Sequence, residues 1–111
     1  MSDVSDVPVP GLGSFLKATR FDPRAPVVAT VTSDLATTVF VVCLEPAQEL
    51  PRHPALAELT LLVVEGEPVI TVVDVVRSTV PGDVLIIAAG AIHTLRAGHQ
   101  RAVVVGVLNR P

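Results

Sequence analysis

The chain has 111 residues, half of them hydrophobic and only 17% charged, which is enough apolar material for one folded domain and argues against global disorder. A net charge of -3 and the absence of Trp and Tyr argue against a nucleic-acid partner. No apolar stretch reaches the ~20 residues that cross a bilayer, and the acidic start lacks the features of a signal peptide. We therefore expect a cytoplasmic protein with no membrane partner.

An N-terminal arm is predicted for residues 1–26, ahead of a barrel domain at residues 27–111. The first ten residues are expected to form a tail or an extended arm. The following "GLGSFLKA" predicts a short helical turn with Ser14 as its N-cap. The proline-punctuated "TRFDPRAP" predicts a loop that leads into the barrel.

From Val27 onward, short runs of Val, Ile, Thr and Leu alternate with Pro, Gly, Asp and Glu, the pattern typical of strands and turns. Val73 and Asp74 are poor residues for a tight turn with positive φ, so another type of loop is expected there. Eight short strands without a long helical pattern predict an antiparallel barrel or sandwich. These strands are predicted at residues 27–32, 37–44, 58–64, 68–73, 75–80, 83–88, 91–96 and 101–108.

Two of these strands, residues 37–44 and 101–108, are apolar on both faces, whereas a sheet with one wet face should alternate. The tail or a second subunit must therefore cover their outer surface. We expect a homodimer, because a two-fold axis needs only one self-complementary patch. The single cysteine, Cys43, lies in such a run and is expected to be a buried, unreactive thiol.

The segment "PGDVLIIAAGAIHTLRA" combines a turn, a strand and a second glycine that permits a tight bend before a histidine. It resembles the second conserved motif of the cupin superfamily. Gly82, Gly90 and His93 stand at matching positions. Ala88 replaces the usual proline of that motif, and Ala97 replaces the usual asparagine.

The segment "PAQELPRHPALAELTLLVVEGE" resembles the first cupin motif. Ala47 stands at its first glycine, His53 at its first histidine and Gly66 at its closing glycine. Ala55 occupies the position of the second histidine, and Leu59 that of the glutamate. The resemblance implies an all-β fold, an antiparallel double-stranded β-helix or jelly-roll of the cupin type.

Cupins that bind metal offer three histidines and a glutamate, or two histidines and a carboxylate, and the resemblance transfers only His53 and His93 to this chain. Two imidazoles fall short of the usual sites for a divalent transition metal, the one cofactor that the resemblance implies. A third ligand would have to be Glu58, Glu49 or Gln48. Strand alternation directs Glu58 outward if Leu59 points inward, unless a β-bulge intervenes. The remaining histidine, His99, is expected in an exposed turn.

The predicted interior is a mostly apolar pocket in which imidazoles supply the polar groups, and such a pocket is suited to a small-molecule ligand. A neutral histidine there could accept a hydrogen bond or act as a general base, but no catalytic residue is assigned. One alternative is a metal-dependent enzyme of the dioxygenase or isomerase type. Another is a sensor subunit that binds a partner chain through its apolar outer sheet. The residues predicted to line the pocket are His53, Ala55, Leu59, Leu61, His93 and Leu95.

Overall fold

The structure, a computed structural model, describes residues 12–111 as one short helix and nine strands. The tail predicted at residues 1–10 lies outside the described residues. The elements in chain order are α1 (Phe15–Ala18), β1 (Val27–Ser33), β2 (Thr37–Leu44), β3 (Glu49–Pro54), β4 (Glu58–Glu65), β5 (Val69–Val72), β6 (Val75–Ser78), β7 (Val84–Ile87), β8 (Ile92–Arg96) and β9 (Ala102–Asn109).

The strands form two antiparallel sheets. Sheet A has five strands in the order β1-β2-β9-β4-β7, and sheet B has four in the order β3-β8-β5-β6. Several connections cross from one sheet to the other, as between β4 and β5 and between β7 and β8. This confirms the expected all-β, antiparallel jelly-roll architecture.

All eight predicted strands are present, with their ends within two residues of the predicted ones, but β3 was not predicted. Its sequence, "ELPRHP", contains two prolines and no β-branched residue, so it does not look like a strand. The structure explains why the prolines are tolerated. Because β3 is an edge strand that pairs only with β8, one side of its backbone needs no donor.

The expectation for the loop at Val73 and Asp74 is wrong, because the two residues form a tight hairpin turn between β5 and β6. Val72 and Val75 are paired directly on either side of it. Val73 adopts the positive φ of 50° that a β-branched residue rarely takes. Its N–H donates to the carbonyl of Ile92 at 2.7 Å, a hydrogen bond that holds the turn in place.

The main core lies between the two sheets. It is built from side chains that alternate inward along the strands, as the period of two requires. Partly buried side chains, among them Phe40, Leu50 and Val72, pack against this core. The buried members of the cluster are Val42, Leu44, Ala55, Leu59, Leu61, Val63, Ile70, Ile87, Leu95, Ala97, Ala102 and Val104.

A second, smaller core lies on the outer face of sheet A. There Val41, Cys43 and Val103 are buried, and side chains of the N-terminal segment, including Phe15 and Phe21, pack over them. The described part of the predicted arm therefore covers part of the apolar outer face of sheet A. Cys43 is buried as expected, and removal from water raises the pKa of its thiol.

The short helix of the arm begins as predicted. The Ser14 side chain accepts a hydrogen bond from the Lys17 N–H at 3.2 Å. Further along, the Arg101 guanidinium lies 3.9 Å from the centre of the Phe21 ring and pairs with Glu45 at 3.0 Å. These contacts hold the arm against the barrel. Within residues 12–111, no helix is long and apolar enough to cross a membrane.

Candidate functional site

His53 and His93 lie side by side, although they are distant in sequence. They are directly opposite each other on β3 and β8, and their ring centroids are 4.3 Å apart with the planes tilted by 58°. The register of β3 shifts between Leu50 and His53, an irregularity typical of barrel rims. The fold thus brings together the two histidines that the cupin motifs selected.

Two backbone hydrogen bonds join the segments that carry the histidines. The Ala55 N–H donates to Ala91 O at 3.0 Å, and the Gly90 N–H donates to Ala55 O at 2.8 Å. Gly90 makes its bond with a φ of 83°, a conformation that favours glycine. The glycine of the second motif therefore helps to hold the two histidine segments in register.

The two imidazoles differ in their surroundings. His93 is only 2% exposed, whereas His53 is exposed to solvent. Desolvation lowers the pKa of His93 from its ordinary value of 6.5. The carbonyl of Ala91 opposes this shift, and the charge of His53 adds to it. His93 is therefore uncharged at neutral pH.

Backbone carbonyls fix the tautomer of both rings. Nδ1 of His53 lies 2.7 Å from the carbonyl of Pro51, and Nδ1 of His93 lies 3.1 Å from that of Ala91. Because a carbonyl oxygen only accepts, Nδ1 carries the proton in each ring. With the proton on Nδ1, an uncharged ring keeps its Nε2 lone pair free for a hydrogen bond or a metal.

The apolar residues assigned to the pocket are all buried in the main core. Ala55, Leu59, Leu61 and Leu95 are each at most 5% exposed and belong to one packed cluster. A separate cavity of about 40 Å³ borders the chain at His93, but it includes the outward-pointing Thr71 and Thr94, so it lies on the outer side of sheet B and not between the two imidazoles. Its other lining residues are Arg52, Thr71, Val73, Asp74, Ile92 and Thr94.

None of the three residues considered as a third metal ligand joins the histidines. Glu58 is exposed beside buried Leu59, and the bulge in β4 lies at its far end, where it cannot turn Glu58 inward. Glu49 is exposed at the start of β3. The Gln48 amide bonds to the backbone of Glu45 and Asp22. Within residues 12–111, no three His, Cys, Asp or Glu side chains are grouped to hold a metal.

The donor set near the histidines therefore does not fit the metal centres that the cupin motifs imply, since those centres need at least three protein ligands. His99 is exposed between β8 and β9, as expected, and lies apart from the pair. Val73 and Asp74 were expected in a loop, but their position close to His93 was not predicted. The short apolar runs on either side are typical of a hairpin. A tight turn was not predicted between them because Val and Asp are unfavourable turn residues there.

Two antiparallel sheets that face each other, with paired histidines on strands of one sheet, define a double-stranded β-helix of the cupin type. Solved structures of this architecture match the chain closely. An RmlC-like cupin from Desulfovibrio desulfuricans is 28% identical, with a TM-score of 0.73, and the match covers 86% of this chain and 92% of that one.

Two further structures extend the comparison. A cupin superfamily protein from Desulfitobacterium hafniense is 18% identical with a TM-score of 0.77, over 87% of this chain and 88% of that one. A protein from Klebsiella pneumoniae with a double-stranded β-helix domain is 23% identical with a TM-score of 0.79, over 86% of each chain. No family model and no curated protein matches the chain. The chain is thus a small cupin barrel by its fold, and the reaction or ligand must be argued from its own residues.

Proposed function

We propose that this cupin binds a small molecule, mostly apolar and carrying a hydroxyl or N–H donor, at the His53–His93 pair. The observation that supports this proposal is the shared tautomer of the two adjacent rings. Each directs its Nδ1 proton to a backbone carbonyl and keeps its Nε2 lone pair for a ligand. The pair therefore suits a ligand that donates a hydrogen bond.

The contrast in burial between the two rings gives each a separate role. Neutral His93, at the edge of the apolar core, would accept a hydrogen bond in a dry environment, where it discriminates strongly against a ligand that lacks the donor. Exposed His53 would contact the polar end of the ligand, and its imidazole is free to reorient as the ligand binds. Exposed Arg52, next to His53 in the sequence, would favour an electron-rich ligand.

Binding of p-cresol, compared with that of its methyl ether 4-methylanisole, tests the proposal. The two probes share an apolar body and differ in the donor. We expect p-cresol to bind about tenfold more tightly, the value of roughly one hydrogen bond, as measured by chemical-shift changes in ¹⁵N-labelled protein. His93→Leu, which has no acceptor, should remove this preference, whereas the exposed-histidine control His99→Leu should keep it. Equal binding of the two probes, or a preference that survives His93→Leu, would refute the proposal.

The alternative is a metal-dependent enzyme of the dioxygenase or isomerase type, which uses His53, His93 and a further ligand. The fixed Nδ1 protons favour it in one respect, because metal-bound histidines commonly donate their other N–H to a carbonyl. Stoichiometric Ni²⁺ or Fe²⁺ in calorimetric titration, lost in both His53→Gln and His93→Gln but kept in His99→Gln, would support this alternative over the first proposal.

We also propose that the chain is a homodimer and that the uncovered part of the outer face of sheet A forms the interface. Leu62 is directly opposite Val84 on β7, and the next outward pair is Thr60 and Ile86. Val84 and Ile86 are more than 60% exposed, an unusual exposure for adjacent aliphatic side chains on an edge strand. A second copy fits this patch because the patch is apolar and can be matched by itself across a two-fold axis.

Analytical ultracentrifugation tests the homodimer. The wild-type chain should sediment as a dimer at micromolar concentration, and Ile86→Lys should sediment as a monomer with an unchanged circular dichroism spectrum. Val76→Lys, a change of an equally exposed valine on sheet B, serves as the matched control and should leave the dimer intact. A monomeric wild-type chain would rule out the homodimer, and the sensor-subunit alternative would then be tested by adding candidate partner chains.

A further inference from the structure

A second concave site lies on the outer face of sheet B, on the side of the sheet opposite to the histidine pair. Thr94 lies between buried His93 and Leu95 on β8, so its side chain points away from the barrel. Outward side chains of β3, β8, β5 and β6 surround a cavity of about 450 Å³, which the loops at Ala47 and His99 close at one end. This volume lies in the range that holds small organic ligands.

Opposite charges stand on neighbouring strands at the edge of this cavity. Glu49 on β3 is directly opposite Arg96 on β8, and both line the cavity. Residues directly opposite on antiparallel strands lie close enough to pair. Yet the ion pairs found in residues 12–111 are Arg24–Asp22 and Arg101–Glu45, so Glu49 and Arg96 are bound neither to each other nor to another charge.

The floor of the cavity combines hydroxyl groups with aliphatic surface. Thr71 and Thr94 are directly opposite each other on β5 and β8. Val69 on β5 is directly opposite Arg96 on β8, and Val76 on β6 is directly opposite Thr71 on β5. The cavity thus offers a carboxylate and a guanidinium at one side, two hydroxyls in the centre and two valines beyond them.

We propose that this outer groove, defined by Glu49, Thr71, Thr94, Arg96, Val69 and Val76, binds a zwitterionic molecule of about the size of a dipeptide. Arg96 would hold a carboxylate through two parallel N–H donors, and Glu49 would accept hydrogen bonds from an ammonium group. A ligand with only one charge would satisfy one of these side chains and meet repulsion from the other. Only a ligand with both charges satisfies the pair, and its apolar part then lies on the valines.

The groove is independent of the histidine pair, so its test is independent of the proposed function. The probe is the dipeptide Leu-Leu, compared with N-acetyl-Leu-Leu, which lacks the ammonium group, and with Leu-leucinamide, which lacks the carboxylate. Binding is followed by ¹⁵N-resolved chemical shifts of the complete chain. We expect the shifts of Thr71, Thr94 and Arg96 to move, with each blocked analogue bound at least about fivefold more weakly because one charge-assisted hydrogen bond is lost.

Two variants assign the charges. Arg96→Gln should weaken Leu-Leu but strengthen Leu-leucinamide, and Glu49→Gln should weaken Leu-Leu but strengthen N-acetyl-Leu-Leu, because each change removes the repulsion that the singly charged analogue meets. The control Arg77→Gln, an exposed arginine on β6 that does not line the groove, should bind like the wild type. The proposal fails if millimolar Leu-Leu moves no groove resonance, if the blocked analogues bind equally well, or if the shifts cluster at His53 and His93.

Discussion

The Phe40 ring lies directly over the α-carbon of Gly106, its partner across β2 and β9. A Cβ at Gly106 would overlap three carbons of that ring. The backbone of Gly106 has no positive φ, so the glycine is required by space rather than by conformation. An aromatic ring over a cross-strand glycine fills the gap that the missing side chain leaves in a sheet.

Gly106→Ala should therefore lower the free energy of unfolding by about 2 kcal/mol, as expected for overpacking in a core, measured by urea denaturation. Gly98→Ala is the matched control, since a Cβ there meets only open space and ordinary contact. It should change stability by less than about 0.5 kcal/mol. Adding Phe40→Leu to Gly106→Ala should recover part of the loss. A Gly106→Ala variant as stable as the control would show that the ring moves aside freely.

Val73→Gly should stabilise the protein by about 1 kcal/mol. Valine at a φ of 50° is strained, and glycine removes that strain at the first position of a two-residue hairpin, where it is the favoured residue. The greater freedom of glycine in the unfolded chain offsets part of the gain. Thermal unfolding should show a higher Tm, whereas Val76→Gly, within the neighbouring strand β6, should lower it. A lower Tm for Val73→Gly would contradict the strain at this turn.

Stability should fall as the pH drops below about 6.5 because of His93. Its pKa is lowered in the folded state by desolvation, so the unfolded chain binds more protons in this window and the free energy of unfolding rises with pH. The loss is at most about 1.4 kcal/mol per pH unit for one group and levels off below the folded pKa. Urea unfolding between pH 8 and pH 5 should show this slope in the wild type and in His99→Gln, but not in His93→Gln.

Two carboxylates affect stability in a separate and more acidic pH range. Hydrogen bonds from Arg24 lower the pKa of Asp22, and backbone N–H groups of Thr37 and Ala36 lower that of Asp34. Their contribution is lost only as the pH falls below the ordinary carboxyl value of 3.8. A slope between pH 8 and pH 5 that persists in His93→Gln would therefore point to a group other than His93 or these two aspartates.

The Cys43 thiol should report on how well the N-terminal arm is attached. Phe21 packs over the cluster that contains Cys43, so Phe21→Ala should expose the thiol and increase its rate of reaction with a disulfide reagent at least about tenfold, since access limits a buried cysteine. Phe40→Ala, on the inner side of the same sheet, is the control and should change the rate far less. An unchanged rate in Phe21→Ala would mean that the arm does not shield Cys43.

The fold could be predicted from the sequence because the strands are rich in β-branched residues and their apolar side chains recur at every second position. Gly82, Gly90 and His93 identified one cupin motif, and the two glycines are needed there because their backbone takes a positive φ. Ala47 is informative in the same way. It stands where the first cupin motif has a glycine, and it adopts a φ of 66°, so the local conformation persists after the glycine has been replaced.

The features that were not predicted depend on contacts between distant parts of the chain, which local sequence patterns do not reveal. β3 is held by its partner β8 rather than by its own propensity, so "ELPRHP" did not predict a strand. The covering of Val41 and Cys43 by Phe15 and Phe21 joins segments that are distant in the sequence. The outer groove was missed because Glu49 and Arg96 become neighbours only through the register of β3 and β8.

The edge position of β3 has a consequence for how this barrel can change over generations. His53 lies on a strand with mostly exposed side chains, whereas His93 lies on a central strand whose side chains alternate into the core. A substitution at His53 therefore disturbs little packing, and one at His93 disturbs much. Side chains on β3 can therefore be exchanged with little change to the packing of the barrel, whereas an exchange at His93 alters the core itself.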